Sequence, residues 1–290
     1  MVSQIHLFLI AATCIISIYA NHFDSYPDSN QLSFDPDVDV ESGFKPRIIN
    51  PIVPGSHSLP FMAFISIRVN NYAKYCAGTI IAHKYVMTAL HCLTHAVRDL
   101  NVLTYQVEKL MTVRVGSQYK TKGGATYGVV ESFKTNNTLA YKEENIVILE
   151  LKHNIFVAGA KPIKLGAWKP KVGTRLKIAG YTRVVNGARK SIDQYAIGNA
   201  TVFALPPCEG KPYAFCVRDV NQGASVGDEG GPAYMLVKGE YIQVGMILDD
   251  DPKKNTDQRV LSSGAYLLIR PFCGFIAAVT KGLARCKAIN

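Results

Sequence analysis

An all-β fold is the architecture this sequence predicts, on three observations. Short apolar runs rich in Val, Ile, Tyr and Thr recur from residue 48 onward. Gly, Asn and Pro turns separate them at strand-and-turn spacing. No long helical period interrupts them. This is the pattern of a β-sandwich or barrel. In order, the expected strands are 61–69, 109–117, 125–133, 145–151, 174–182, 195–203 and a hairpin over 234–248 that turns at Lys238-Gly239-Glu240. The one segment with helical character is 275–284, FIAAVTKGLA, near the C-terminus.

Size and composition agree with a globular domain. The chain has 290 residues, 48% hydrophobic and 19% charged, which excludes collagen-like, coiled-coil and wholly disordered proteins. Thirty-two Lys and Arg against 22 Asp and Glu give a net charge of +10, which permits an anionic partner without naming one. The charge is unevenly placed. Residues 1–20 carry none, residues 21–47 carry six acids and two bases (−4), and the remainder holds 30 bases and 16 acids (+14).

Residues 1–20 read as a signal peptide. Their apolar run, 7–18, is too short for a membrane span and ends before Tyr19-Ala20, so a secreted protein is expected. Residues 21–47, with few apolar side chains and Pro at 27, 36 and 46, form an acidic flexible pro-segment that cannot support a core. The folded domain is 48–290. No membrane span is expected in it.

With Cys14 in the signal segment, six cysteines remain: Cys76, Cys92, Cys208, Cys216, Cys273 and Cys286. An even number in a secreted chain predicts disulfides and leaves their connectivity open. No Cys-x-x-Cys pair occurs, and neither a metal nor a cofactor is expected. Asn136-Asn137-Thr138 and Asn199-Ala200-Thr201 are glycosylation acceptors by sequence. Lys161, Lys164, Lys169, Lys171, Arg175 and Lys177 form a candidate anion-binding cluster, for which an acidic polysaccharide is a candidate ligand.

Four segments carry a resemblance. They are Arg47-Ile48-Ile49-Asn50-Pro51; Cys76-Ala77-Gly78 with Thr88-Ala89-Leu90-His91-Cys92; Glu144-Asn145-Ile146-Val147; and Gly227-Asp228-Glu229-Gly230-Gly231-Pro232. In this order they resemble the chymotrypsin/trypsin-like serine peptidases, over all 243 residues from 48 to 290. The resemblance implies two packed six-stranded antiparallel β-barrels and a short C-terminal helix. It implies the pairs Cys76–Cys92 and Cys208–Cys216, leaving Cys273 and Cys286 as the remaining two. It also implies cleavage after Arg47, with the freed Ile48 ammonium meeting Asp228.

The departures are at the chemistry. Such enzymes use a His to take the proton of a nucleophilic Ser, an Asp to hold that His, and two backbone N–H groups for the oxyanion. Here His91 stands at the His position, Asn145 at the Asp position and Glu229 at the Ser position. The amides of Gly227 and Glu229 would form the oxyanion hole. Ser225, Ser262 and Ser263 are not expected to substitute as nucleophiles. Gly223 falls at the base of the specificity pocket, and Leu248, Asp249 and Asp250 fall on the substrate-binding strand.

The resemblance therefore implies an inactive serine protease homologue of arthropod type, used as a secreted binding or regulatory protein. Its expected partners are extracellular proteins, among them active serine proteases or their substrates, and no nucleic acid. Reproductive fluid and innate-immune protease networks are where the family places such homologues. Residues 21–47 contain no Cys and so no clip module. An active hydrolase with atypical groups and a glycosaminoglycan-binding module are the competing readings. An ion pair between His91 and Glu229 is expected to close the cleft.

Overall fold

The computed structural model describes residues 59–99, 107–135, 144–181, 193–220, 223–224, 227–250, 253–254 and 260–289. The signal-like segment, the acidic segment, Arg47, Ile48, Asn136 and Ser225 lie outside the described residues. All described residues belong to the unit Lys45–Asn290.

The first barrel is built from β1 (Met62–Val69), β2 (Tyr72–Ala82), β3 (Tyr85–Thr88), β4 (Met111–Val115), β5 (Ala125–Lys134) and β6 (Val147–Leu151), in the closed order β1-β2-β3-β6-β5-β4. Every neighbouring pair is antiparallel, and β1 closes the ring by pairing Ala63 with Val115 and Ile67 with Met111 of β4. β4 alternates Met111, Val113 and Val115 inward with Thr112 and Arg114 outward, the period-two signature of a half-buried strand.

The second barrel takes β8 (Arg175–Gly180), β9 (Ala196–Ala204), β10 (Ala214–Val220), β11 (Pro232–Val237), β12 (Glu240–Asp250) and β14 (Val260–Leu268), in the order β14-β10-β9-β8-β11-β12, closed by β12 on β14. Three short strands extend it: β7 (Lys164–Gly166) parallel to β12, β15 (Cys286–Lys287) parallel to β7, and β13 (Lys253–Lys254) on β14. The expected hairpin turns through Lys238 and Gly239, both at positive φ (50° and 80°), as a two-residue primed turn requires. Ser262 and Ser263 lie in β14, paired with Asp219 and Arg218.

Among the described residues two α-helices flank the barrels. α1 (Leu90–Asp99) was not expected; it forms because Leu90, Leu93 and Ala96 recur on one buried stripe beside Cys92. α2 (Cys273–Val279) is shorter than the expected 275–284. Lys281 and Gly282 take positive φ (53° and 80°) and reverse the chain, so Cys286 comes back to Cys273 with Cα atoms 5.6 Å apart. Thirteen residues that would span roughly 20 Å as a straight helix therefore close a disulfide. The pairs are Cys76–Cys92, Cys208–Cys216 and Cys273–Cys286.

Phe61 meets Tyr234, and Phe64 meets Tyr181, both edge-on. Buried Thr79 of β2 donates to Gln243 of β12 at 2.9 Å, and Gln243 returns an amide proton to the Gly245 carbonyl. The seam between the barrels is thus aromatic with satisfied polar bridges, among them Tyr181, whose hydroxyl donates to the Ser117 carbonyl at 3.1 Å.

Candidate functional site

The site lies where the end of β2, the start of α1 and the loop before β11 converge. Backbone bonds hold it: Ala77 donates to the Glu229 carbonyl at 2.9 Å, Gly230 to Ile247 at 2.9 Å, and Ile247 to Gly231 at 2.9 Å. Gly230 takes φ 81°, and a Cβ there would collide with the Thr88 hydroxyl and the Ala77 carbonyl. Thr88 in turn donates to Ala77 at 2.7 Å. A side chain at Gly231 would strike the Ala179 carbonyl. Gly230 is thus required by the clasp between the barrels, and Gly231 by the packing of the loop on β8 of the second barrel.

His91 and Asn145 form one unit. Asn145 Oδ1 accepts the His91 backbone N–H at 2.9 Å, and its Nδ2 lies 2.8 Å from His91 Nδ1. The backbone N–H can only donate, so the amide orientation is fixed and Nδ2–H donates to Nδ1. Nδ1 is therefore the acceptor, and a neutral His91 carries its proton on Nε2. Burial holds the imidazole down to about 4, with His95 adding to the effect. The two rings lie 5.1 Å apart on α1. The expectation of no metal site took the sequence to lack a His-x-x-x-His pair; residues 91 and 95 correct this, since they have that spacing and share one helix face.

Glu229 does not do what was expected of it. Its Oε2 accepts the Gly227 amide at 2.6 Å, and its own amide also bonds the carboxylate. Burial pushes the carboxyl above its ordinary range, against the pull of those two amides, and nearby Asp249 pushes the same way. The expected His91–Glu229 ion pair is not among the ion pairs of the described residues. Both groups are desolvated, His91 resists a proton and Glu229 resists giving one up, so the amides are the better partners. The two backbone amides expected as oxyanion donors are thus turned on the Glu229 carboxylate.

The remaining predicted positions are distributed around this centre. Gly223 is buried and brings no acid to the pocket base. Leu248 is buried; Asp249 accepts the Ala265 amide at 3.0 Å and pairs with Lys211 at 3.0 Å. Asp228 is fully buried, with its carboxylate against the Cα of Gly180. Asn199 is 7% exposed in the middle of β9, opposite Lys177. A glycan has no room there, which corrects the sequence reading of that acceptor. Among the described residues no group of His, Cys, Asp or Glu could hold a metal ion, and no helix is long and apolar enough to cross a membrane.

Two barrels with a His at their junction and a Gly-x-Glu-Gly-Gly loop facing it define a serine-peptidase-like scaffold. The chain belongs to the trypsin family, whose sequence profile, Trypsin, matches residues 49–259. Trypsin delta of Drosophila melanogaster is 26% identical over 227 residues, 72% of this chain and 81% of that protein. Chymotrypsin of Phaedon cochleariae is 23% identical over 217 residues, 70% of this chain and 71% of that protein. In fold, the chain is similar to a scabies mite inactivated protease paralogue: TM-score 0.63 at 15% identity, covering 83% of this chain and 100% of the other.

Proposed function

We propose that this chain is a secreted, non-catalytic serine protease homologue that acts by binding. The observation that carries the reading is the Glu229 carboxylate on the Gly227 amide at 2.6 Å. Acyl transfer needs a nucleophile, a base facing it and empty donors for the developing oxyanion. Position 229 supplies a carboxylate, His91 presents an N–H where a lone pair is needed, and the donors are taken. Three disulfides suit an oxidising, extracellular compartment. The setting that fits is an extracellular fluid, reproductive or innate-immune, where the chain would engage active proteases or their substrates without cutting them. One structural neighbour is itself an inactivated protease paralogue.

Segments 1–20 and 21–47 are proposed as a cleaved signal and a pro-segment removed after Arg47. Asp228, buried at the site, suits a freed Ile48 ammonium, because a buried carboxylate is costly unless paired. N-terminal sequencing of the secreted protein should read from Ile48; a start at Asn21 in the functional fluid refutes the processing. The test of inactivity is labelling by a serine-directed phosphonate. None is expected on the natural protein, and stoichiometric labelling overturns the proposal.

A further inference from the structure

The strongest unabsorbed feature is a cationic sheet face on the second barrel. The 42 residues from Leu151 to Ile192 contain no Asp or Glu. The structure divides the basic cluster seen in the sequence. Lys164 is held by Glu240, and the Lys161 amide is tied to Pro60 of the first barrel. Arg175 and Lys177 stand two apart and exposed on β8, with Lys171 exposed in the turn before it. That turn is pinned to β9 by the Gly173 amide on the Val202 carbonyl at 2.8 Å.

Strand pairing brings in a cation that sequence proximity hides. Arg175 pairs with Thr201 of β9, and Thr201 pairs with Arg218 of β10, so all three share one face. The Arg218 guanidinium lies 3.8 Å over the ring of Phe203, itself 50% exposed. That stacking holds the planar fork flat on the surface, ready for bidentate contact with an anion. Strand geometry sets Arg175 and Lys177 about 7 Å apart along the strand, and Arg175 and Arg218 about 10 Å apart across it. None of the four cations joins an ion pair among the described residues. The one acid on these strands, Asp219, is half-buried and accepts the Thr201 hydroxyl at 3.0 Å.

We propose that the outer face of β8–β10, with Lys171, Arg175, Lys177 and Arg218, binds a sulfated acidic polysaccharide. A spaced array of unpaired cations on a flat sheet suits a long chain of regularly repeated anions. The disulfides place the protein among extracellular polyanions, of which sulfated polysaccharides are the repeating kind. The face lies on a different surface from the relic cleft, so its failure would leave the non-catalytic reading standing.

The test is affinity for heparin oligosaccharide, measured on the intact secreted protein across a salt series. The triple variant Arg175→Ala, Lys177→Ala, Arg218→Ala should lose at least about tenfold in affinity at ~0.1 M salt, with a shallower salt dependence. A control triple, Lys109→Ala, Lys152→Ala, Arg270→Ala, removes the same charge from exposed sites elsewhere and should change affinity by less than about twofold. Thermal unfolding checks that both variants remain folded; if the first is not, Arg218→Ala alone should still weaken binding severalfold. Equal losses in the two triples would show a net-charge effect and overturn the assignment. Absence of binding by the natural protein at ~0.15 M salt would overturn it too.

Discussion

Asn145 grips His91 at two points, accepting its backbone N–H at 2.9 Å and meeting its Nδ1 at 2.8 Å. A carboxylate in that place would accept a hydrogen bond from Nδ1–H and leave the Nε2 lone pair free as a base. The amide reverses this. It donates to Nδ1, so the imidazole face directed at the cleft is a donor.

The tautomer is directly observable. Imidazole 15N resonances should show a neutral ring protonated on Nε2 throughout pH 5.5–8, charging only near about 4. A midpoint near 6.5, or a ring protonated on Nδ1, would contradict the Asn145 geometry.

Restoring the nucleophile should not restore the enzyme. Glu229→Ser places a hydroxyl opposite an N–H, and ester hydrolysis should stay at background. Adding Asn145→Asp corrects the tautomer, a step worth about 10⁴ in turnover in such triads. The double variant should therefore exceed the single one by orders of magnitude. Rates within tenfold of each other would mean that Asn145 is not the second block.

Glu229 also leaves a mark on stability. Its folded pKa is raised above 4.5, so between that value and the raised one the folded state binds the extra proton. Its contribution is fully present below 4.5 and is lost as pH rises. Glu229→Gln keeps an acceptor for the Gly227 amide and removes the charge. Its stability relative to the natural protein should climb from pH 4.5 to 7. His91 acts oppositely in both proteins, its contribution lost as pH falls from 6.5 towards about 4, so it cancels in the difference. Chemical denaturation at a series of pH values reads this out; a flat difference argues against a buried carboxylate.

The last disulfide should matter more than its surface position suggests. Cys273–Cys286 closes a loop over α2 and carries β15 onto β7. Replacing both cysteines by Ser should cost about 3 kcal/mol, measured by urea midpoints at constant m. A loss below about 0.5 kcal/mol would mean that the β15–β7 pairing holds without the bond.

Much of this was legible in the residues. The expected strand runs, the three motifs within the described residues and the three cysteine pairs lie where the sequence and its family resemblance put them, because period-two burial and turn residues are local signals. α1 was missed because ten residues with a narrow apolar stripe make too short a period to stand out beside a motif. Arg218 was missed as a member of the basic face because it joins Arg175 only through strand register, 43 positions away. The direction of Glu229 was misread for a different reason. Charge pairing suggested His91, whereas desolvation of both groups favoured two backbone donors already aimed at the carboxylate.

The clasp around Gly230 and Gly231 has a consequence for how such a chain can change. The contacts that fasten the two barrels use the carbonyl of residue 229 and the missing side chains of its two successors, and none uses the side chain at 229 itself. A single replacement at that position can silence the chemistry while the architecture stays as it was. The glycines beside it have no such freedom, since a side chain at Gly230 would wedge the halves apart and one at Gly231 would strike the Ala179 carbonyl. Loss of turnover and loss of fold are thus governed by adjacent but independent positions, and a secreted scaffold can leave enzymology through one codon and keep its surfaces for other work.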